Sequence, residues 1–349
     1  MRINFLLPHY GYRPAGGFAV VYTYANEFVK RGHDVCLIHA AACKKGLRKL
    51  FGWTRTYRGR KSASDWFEFE QGINKIYVPG LDEKYVPDAD CTIATSYETS
   101  LYLNNYSIIK GKKIYFIQDL EIWAGKQEKI LDSWKFDMCK IVISQHLLNI
   151  GKNSGIQNLY YLPNAIDRKK YQIYRNSDLR KNCIAMMYSK AERKGSSYGI
   201  EAIRRIKVQK PEIEAVIFGK DPRPADLPKW IEYYENPEQL FLIKDIYNRA
   251  KVFICSSIYE GWGLPAMEAM ACGAAVVTTD CGGVRDFAIQ DVTAKICRVR
   301  NVEDIEQAVV EILENEIMLK NLVNNAQQEL LKFDWGKNSE SFLEIIQRG

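Results

Sequence analysis

Short apolar runs and amphipathic stretches alternate from the start of the chain. Arg2–Leu7 is an apolar run of strand length, followed by a loop rich in Pro and Gly (Pro8, Gly11, Pro14, Gly16, Gly17). Phe18–Arg31 then places Val21, Tyr24, Ala25, Phe28 and Val29 near a 3.6-residue period, which predicts a helix. Gly32 suits the position after its last turn, and Val35–His39 is a second strand. Strand–helix–strand at this spacing requires parallel pairing with a right-handed crossover. Further short strands are expected at Lys75–Val78, Cys91–Thr95, Ile114–Ile117, Ile141–Ser144 and Tyr160–Leu162, with helical stretches between several of them.

Pro163-Asn164-Ala165-Ile166-Asp167 and the polar, basic stretch up to Asn182 interrupt this rhythm and form the best candidate for a linker. The alternation then restarts. Strands fit Ile184–Tyr188, Ala215–Phe218, Val252–Cys255, Ala275–Thr278 and Lys295–Cys297; helices fit Ser197–Lys207, Gln239–Ala250, Pro265–Ala271 and Val302–Glu314. A last helix is expected over about Gly336–Gln347, after Phe333-Asp334-Trp335. The expectation is therefore two successive α/β units, residues 1–165 and 166–334, each a doubly wound Rossmann-like domain, facing each other across a cleft. Ligands of such sheets sit at the carboxyl ends of the strands.

The 349-residue length agrees with two domains at roughly 100–200 residues each. With 47% hydrophobic and 26% charged residues, the composition excludes a disordered chain, a collagen-like fibre and a disulfide miniprotein. No apolar run approaches the roughly 18 residues that span a bilayer, and the first apolar run is too short for a signal-peptide core. The expected location is the cytoplasm. Nine scattered cysteines without a CxxC pair, and four histidines without metal spacing, point to reduced, buried thiols and no metal site.

Charge is unevenly placed. Residues 1–165 hold 22 Lys and Arg against 15 Asp and Glu, while residues 166–349 are balanced. Eight basic residues and no acid lie between Asp34 and Asp65, from Lys44 to Lys61, interleaved with Leu47, Leu50, Phe51, Trp53 and Tyr57. Three readings of Lys44–Lys61 stand: a solvated loop, a contact with an anionic membrane surface or a lipid-pyrophosphate acceptor, and nucleic acid. Each basic residue near an anionic leaflet contributes about 1 kcal/mol. No RNA-binding signature accompanies the charge, which argues against nucleic acid as a partner.

The segment from Ser256 to Gly273 carries most of the candidate chemistry. It leaves a strand and enters a helix through Glu260-Gly261-Trp262-Gly263-Leu264-Pro265. The glycines let backbone approach a ligand, and proline suits the first helical position. Glu260 is expected in the loop and Glu268 in the first turn of the helix, both facing one ligand. A carboxylate accepts two hydrogen bonds from vicinal hydroxyls, and free amides at a helix start suit phosphate. Hydroxyl acceptors beside an anion pocket describe a nucleotide sugar. Favouring the helix dipole is the alternative role for Glu268.

Glu260 and Glu268 have the E-x7-E spacing of retaining glycosyltransferases, and EGWGLPAMEAMACGAAVVTTDCGG resembles the C-terminal core of glycosyltransferase family 4, a family of GT-B fold. Gly16-Gly17, Arg31-Gly32-His33-Asp34-Val35, Pro163-Asn164-Ala165-Ile166-Asp167, Arg193-Lys194-Gly195 and Phe333-Asp334-Trp335 are similar to further motifs of that family. The resemblance implies an α/β fold of GT-B type in which the last helix, 335–349, returns to the N-terminal domain. It implies that Glu268 binds the ribose hydroxyls, that Glu260 lies near the donor sugar, and that Lys194 meets the donor diphosphate. Backbone amides of Gly261, Trp262, Gly263 and Leu264 would face the donor, and Gly16 and Gly17 would leave room for the diphosphate. A fixed cation has its own rationale here, because it stabilises charge developing on a leaving diphosphate without a metal.

Three departures from the family pattern are visible. The Arg expected five or six residues before Lys194 is replaced by Ser189 and Tyr188, leaving Lys190 or Arg193 as substitutes. The His expected after the fifth strand is Gln118, followed by Asp119, which can hydrogen-bond the sugar or acceptor or merely cap a loop. The GGxxE loop ends in Asp286. Asp88-Ala89-Asp90 is a DxD, but it precedes its strand instead of following it, so no metal is expected there.

The implied function is transfer of a hexose-type sugar, with retention, from a nucleotide-sugar donor to an acceptor hydroxyl. The nucleotide sugar is a co-substrate and no further cofactor is expected. Tyr10, Arg13 and the basic segment are candidates for contact with a glycan or lipid-linked glycan, as in surface polysaccharide assembly at the inner face of the membrane. A sugar-nucleotide epimerase and a non-catalytic carbohydrate- or membrane-binding protein of the same fold are the alternatives. A glycoside phosphorylase would be much longer, and no G-x-G-x-x-G follows the first strand as in a dehydrogenase.

Overall fold

The computed structural model describes residues 1–41 and 64–348. The segment Lys44–Lys61, singled out above for a membrane or acceptor role, lies outside the described residues. The chain divides into two compact units, one of residues 1–164 with the helix Trp335–Arg348, and one of Ala165–Asp334.

In the first unit, β1 (Arg2–Leu7), β2 (Asp34–Ala40), β3 (Asn74–Val78), β4 (Cys91–Ala94), β5 (Lys112–Ile117), β6 (Cys139–Val142) and β7 (Leu159–Tyr161) form one parallel sheet. Their order is β3-β2-β1-β4-β5-β6-β7. Most strands are buried on both faces, as continuous Val/Ile/Leu/Phe runs require once helices cover a parallel sheet. The helix Gly16–Lys30 turns Tyr24 and Phe28 onto the last helix, where Tyr24 meets Trp335 and Phe342 edge to face at 5.1 and 4.9 Å. Arg31 adds a hydrogen bond to the Gly336 carbonyl at 2.9 Å.

The second unit repeats the plan with β8 (Cys183–Tyr188), β9 (Glu214–Gly219), β10 (Glu232–Glu235), β11 (Val252–Cys255), β12 (Ala275–Thr279) and β13 (Ala294–Cys297), in the order β10-β9-β8-β11-β12-β13. Its core joins Ile184, Ile217, Val252 and Val277 of the sheet to Ile203, Ile305, Val309 and Leu322 of the flanking helices. In both sheets the strand order reverses next to the first strand, at β1/β4 and at β8/β11. Those switch points are where a doubly wound sheet opens a crevice.

The structure corrects the expected linker. Residues 165–182 pack as an integral part of the second unit. Arg180, only 3% exposed, donates to the carbonyls of Arg175, Tyr247, Ala250 and Cys272. A buried guanidinium needs such partners; Arg175 O closes a turn within the segment, and the other three carbonyls fix it against two helix ends. The single helix expected over Gln239–Ala250 is a short α-turn, Gln239–Phe241, running into a π-helix, Leu242–Tyr247.

Candidate active site

In the second unit the loops after β8, β11 and β12 meet at the β8/β11 switch point. Gly195 ends the first loop at φ +55°, and a Cβ there would lie 2.1 Å from the Ser256 carbonyl oxygen, so only glycine allows the two loops to touch. The Arg193 carbonyl accepts from the amides of Ile258 and Tyr259 at 2.7 and 3.2 Å. The Glu260 amide donates to Cys281 O at 2.7 Å, and its carbonyl accepts from Gly283 N at 2.9 Å. Gly283 is equally obligatory, since its Cβ would lie 2.0 Å from Gly261 O.

These backbone ties bring Lys194 and Glu260 together. Lys194 Nζ donates to Glu260 Oε1 at 2.6 Å, and Ser257 Oγ donates to the same oxygen at 2.7 Å. The side chains are 15% and 8% exposed, a nearly buried pair. The helix Leu264–Ala271 starts just beyond, with Gly263 at φ +98° and Pro265 in the first turn. The backbone N–H groups of Gly261, Trp262, Gly263 and Leu264 find no acceptor among the described residues. Such amides at a helix entry form an anion site. Trp262 is buried against Phe287 and Phe333 and donates Nε1–H to Met267 Sδ, so it holds the loop by packing.

Glu268 departs from its expected place. It is the fifth residue of its helix, one residue beyond the first turn, because the helix begins at Leu264 and not at Pro265. Its two oxygens accept from Tyr171 Oη and Tyr247 Oη, both at 2.8 Å. Burial pushes the carboxyl up, and the two tyrosine hydroxyls donating to it pull the other way. Glu260 and Glu268 thus have separate partner sets, a cation and a serine hydroxyl for one and two tyrosine hydroxyls for the other.

Lys190 is exposed, and its amide donates to Asp221 Oδ2 at 2.8 Å. Arg193 is half-buried in the same loop. Asp286 is half-buried at the end of the short 3-10 turn Gly283–Asp286, beside Arg285, which forks onto Asp280 at 2.8 and 2.9 Å.

In the first unit, Gly16 and Gly17 open the first helix, and a Cβ on Gly17 would meet Gln118 Oε1 at 3.4 Å. The first loop and the loop after β5 are therefore neighbours. Asp119 Oδ1 accepts from the Leu120 amide at 2.8 Å. Glu121, not singled out from the sequence, sits at φ +52°, and its carboxylate accepts from the Tyr97 amide at the start of the helix Tyr97–Leu103. Burial lifts its carboxyl to about 8, helped by Asp119 and Glu98, against the pull of the Tyr97 N–H. Asp88 pairs with Lys110 at 2.7 Å and Asp90 accepts from the Arg2 amide at 2.7 Å, so both acids of the DxD hold backbone and cation in place.

Tyr171, Tyr247, Ser257, Arg180 and Glu121 escaped the sequence reading. Tyr171 comes four residues after the Pro163–Asp167 motif, Ser257 lies within the Ser256–Gly273 segment and Glu121 two residues after Asp119, whereas Tyr247 and Arg180 carry no local pattern.

Residues 167–329 match the family model described as "Glycosyl transferases group 1". A relative in Campylobacter jejuni, N,N'-diacetylbacillosaminyl-diphospho-undecaprenol alpha-1,3-N-acetylgalactosaminyltransferase, is 22% identical over 218 residues, 60% of this chain. The matched region spans 57% of that relative's length. Among solved structures, Anabaena Alr3699/HepE superposes with a TM-score of 0.76 at 15% identity, covering all of both chains. Sucrose-phosphate synthase from Thermosynechococcus elongatus gives 0.75 at 15% identity over 100% of this chain and 98% of its own. The second unit thus carries a match to the group 1 glycosyl transferases, and the chain as a whole has an α/β fold of GT-B type built from two doubly wound, Rossmann-like units.

Proposed function

We propose that the protein is a retaining glycosyltransferase that moves a hexose-type sugar from a nucleotide-sugar donor to an acceptor hydroxyl. The observation that carries this reading is the grouping at one switch point of Lys194, Glu260 and the Gly261–Leu264 amides, which have no acceptor among the described residues. An ammonium has three N–H donors and Glu260 takes one of them, so the cation can also serve diphosphate oxygens. The Gly261–Leu264 amides receive the same anion, Glu268 takes the ribose hydroxyls, and Glu260 and Asp286 take hydroxyls of the sugar. Lys190 and Arg193 supply further positive charge in the loop where Tyr188 and Ser189 cannot.

In the reaction the bond between the anomeric carbon and the leaving diphosphate breaks, and the acceptor oxygen bonds the same face. The acceptor proton passes to the departing phosphate oxygen. Lys194 stabilises the charge that develops there, and the reaction needs no metal ion. Gly16 and Gly17 give the diphosphate room, and Asp119 hydrogen-bonds sugar or acceptor.

The acceptor we favour is a glycan carried on a lipid. The Campylobacter relative is named for a diphospho-undecaprenol acceptor, and the Anabaena protein was solved with UDP and glucose. No helix among the described residues is long and apolar enough to cross a membrane. For a lipid-borne acceptor, the basic residues of Lys44–Lys61 would serve the anionic headgroups.

Thermal shift against UDP, GDP, dTDP, ADP and CMP tests the donor site. One nucleotide at a hundredfold over its Kd should stabilise the wild type by about 2.7 kcal/mol and leave Glu268→Ala unmoved. Nucleotide release that requires both donor and acceptor then separates a transferase from an epimerase and from a binding protein. Failure of every nucleotide to stabilise the wild type would overturn the proposal.

A further inference from the structure

Glu268 is held by an arrangement that no family motif assigned above contains. Its two partners come from separate elements. Tyr171 lies in the segment just after Asp167, and Tyr247 is the last residue of the π-helix Leu242–Tyr247. Each hydroxyl donates to a different carboxylate oxygen. Neither has freedom to turn away. Tyr171 Oη accepts from Gln239 Nε2 at 2.7 Å, which leaves its single hydrogen for Glu268. Tyr247 is fully buried, and its carbonyl is gripped by Arg180 Nη1 at 3.1 Å.

Arg180 ties the same end of the π-helix to the end of the helix that carries Glu268, through Ala250 O and Cys272 O, both at 2.6 Å. Asn248, also buried, donates to Gln172 O and Ile243 O at 3.0 and 3.1 Å. The π-helix, the Tyr171 segment and the Glu268 helix are thus one polar-bonded block. A π-turn adds a residue per turn to an α-helix and re-aims the side chains beyond it; here it delivers Tyr247.

A carboxylate offers about four lone-pair sites. The tyrosines occupy one on each oxygen and leave one on each, matched in number to two vicinal hydroxyls. We propose that Tyr171 and Tyr247 are positioning residues that lock Glu268 for a 2',3'-diol, so that the site selects ribonucleotides over 2'-deoxyribonucleotides. This rests on Glu268 being the ribose ligand. Losing one hydroxyl leaves a buried acceptor without its donor, and hydrogen bonds to a charged group change affinity by about tenfold or more.

Calorimetric titration of the full chain with UDP, GDP, ADP and CDP, and with the 2'-deoxy form of whichever binds, provides the test. The wild type should bind the ribonucleotide about tenfold tighter or more than its deoxy form. Tyr171→Phe and Tyr247→Phe should each bring that ratio down toward unity, a change that a general loss of stability would not produce. Gln239→Leu, at an exposed residue, frees only the Tyr171 hydroxyl and should lower the ratio severalfold, which covers the case in which a tyrosine variant does not fold. Unchanged ratios in the folded variants would overturn the lock while leaving the donor site standing. If none of the four ribonucleotides binds the wild type, the ribose assignment falls and the lock with it.

Discussion

Replacing Lys194 with methionine would leave the Glu260 carboxylate nearly buried, with Ser257 Oγ as its remaining side-chain donor among the described residues. At the 2.6 Å separation in the structure, two unit charges in an effective dielectric near 20 attract by about 6 kcal/mol. Desolvation of both ends cancels much of that, so the pair itself contributes little net stability. A single end has no such cancellation. Removing one partner of a buried pair costs about 3–5 kcal/mol, and the partial exposure of Lys194 argues for the lower figure, about 3 kcal/mol. Lys194→Met/Glu260→Gln removes both charges and should recover about 2 kcal/mol relative to the sum of the single changes. Urea unfolding monitored by tryptophan fluorescence measures all three, since Trp262 is buried beside the pair's loop. Turnover should be lost in every variant, because the cation is gone or its orienting partner is. A Lys194→Met protein within about 0.5 kcal/mol of the wild type would refute the buried-pair argument, and normal turnover would remove Lys194 from the donor site.

Glu121→Gln removes a carboxyl that burial holds up to about 8 against an ordinary 4.5. A raised carboxyl contributes its stability fully below about pH 4.5 and loses it as the pH climbs to about 8. Wild-type stability should therefore fall across that window relative to the variant, by a few kcal/mol at most; parallel urea-stability curves from pH 5 to 8.5 would contradict it. Gly195→Ala meets the Ser256 carbonyl at 2.1 Å and should cost several kcal/mol, whereas Gly155→Ala, at φ +70° with nothing within 4 Å, should cost about 1 kcal/mol; equal melting temperatures would sink the loop-contact argument. Gly17→Ala meets only Gln118 at 3.4 Å, so it should melt like the wild type while turnover falls, and full turnover would end the proposed role in making room for diphosphate. Arg180→Met strands the three buried carbonyls of Tyr247, Ala250 and Cys272 and should cost about 3 kcal/mol or more by thermal unfolding, with no rescue by Arg180→Lys, whose single ammonium cannot span them.

The strands that were legible are those whose burial is continuous. β1, β8, β11 and β12 lie within a residue of their expected bounds, because an apolar run bounded by turn residues has one use in a parallel sheet. β10, Glu232–Glu235, has no such run: it is the sheet edge, half of it exposed, and was missed. β6 lies two residues earlier than expected, since Ser144 caps the next helix by accepting from Leu147 N and so leaves the strand. The helix Glu316–Glu329, also missed, mixes its apolar Leu319, Leu322, Val323 and Ala326 with Asn and Gln residues that blur the period.

The site divides along the same line. Gly261, Gly263 and Pro265 announce a close-approach loop and a helix start because their backbone demands are local. The partners of Glu268 are set by Tyr171, 97 residues away, and by Tyr247, which a π-turn brings round. Periodicity records which face is buried, but not which polar atom on that face finds another. Basic, polar 165–182 resembles a linker for that reason: Arg180 and Tyr171 carry polar atoms that are satisfied only by distant partners. Their burial is therefore itself informative. A charge that costs several kcal/mol to desolvate is retained where it holds something in place, and Arg180 holds the pair of helix ends between which Glu268 is aimed.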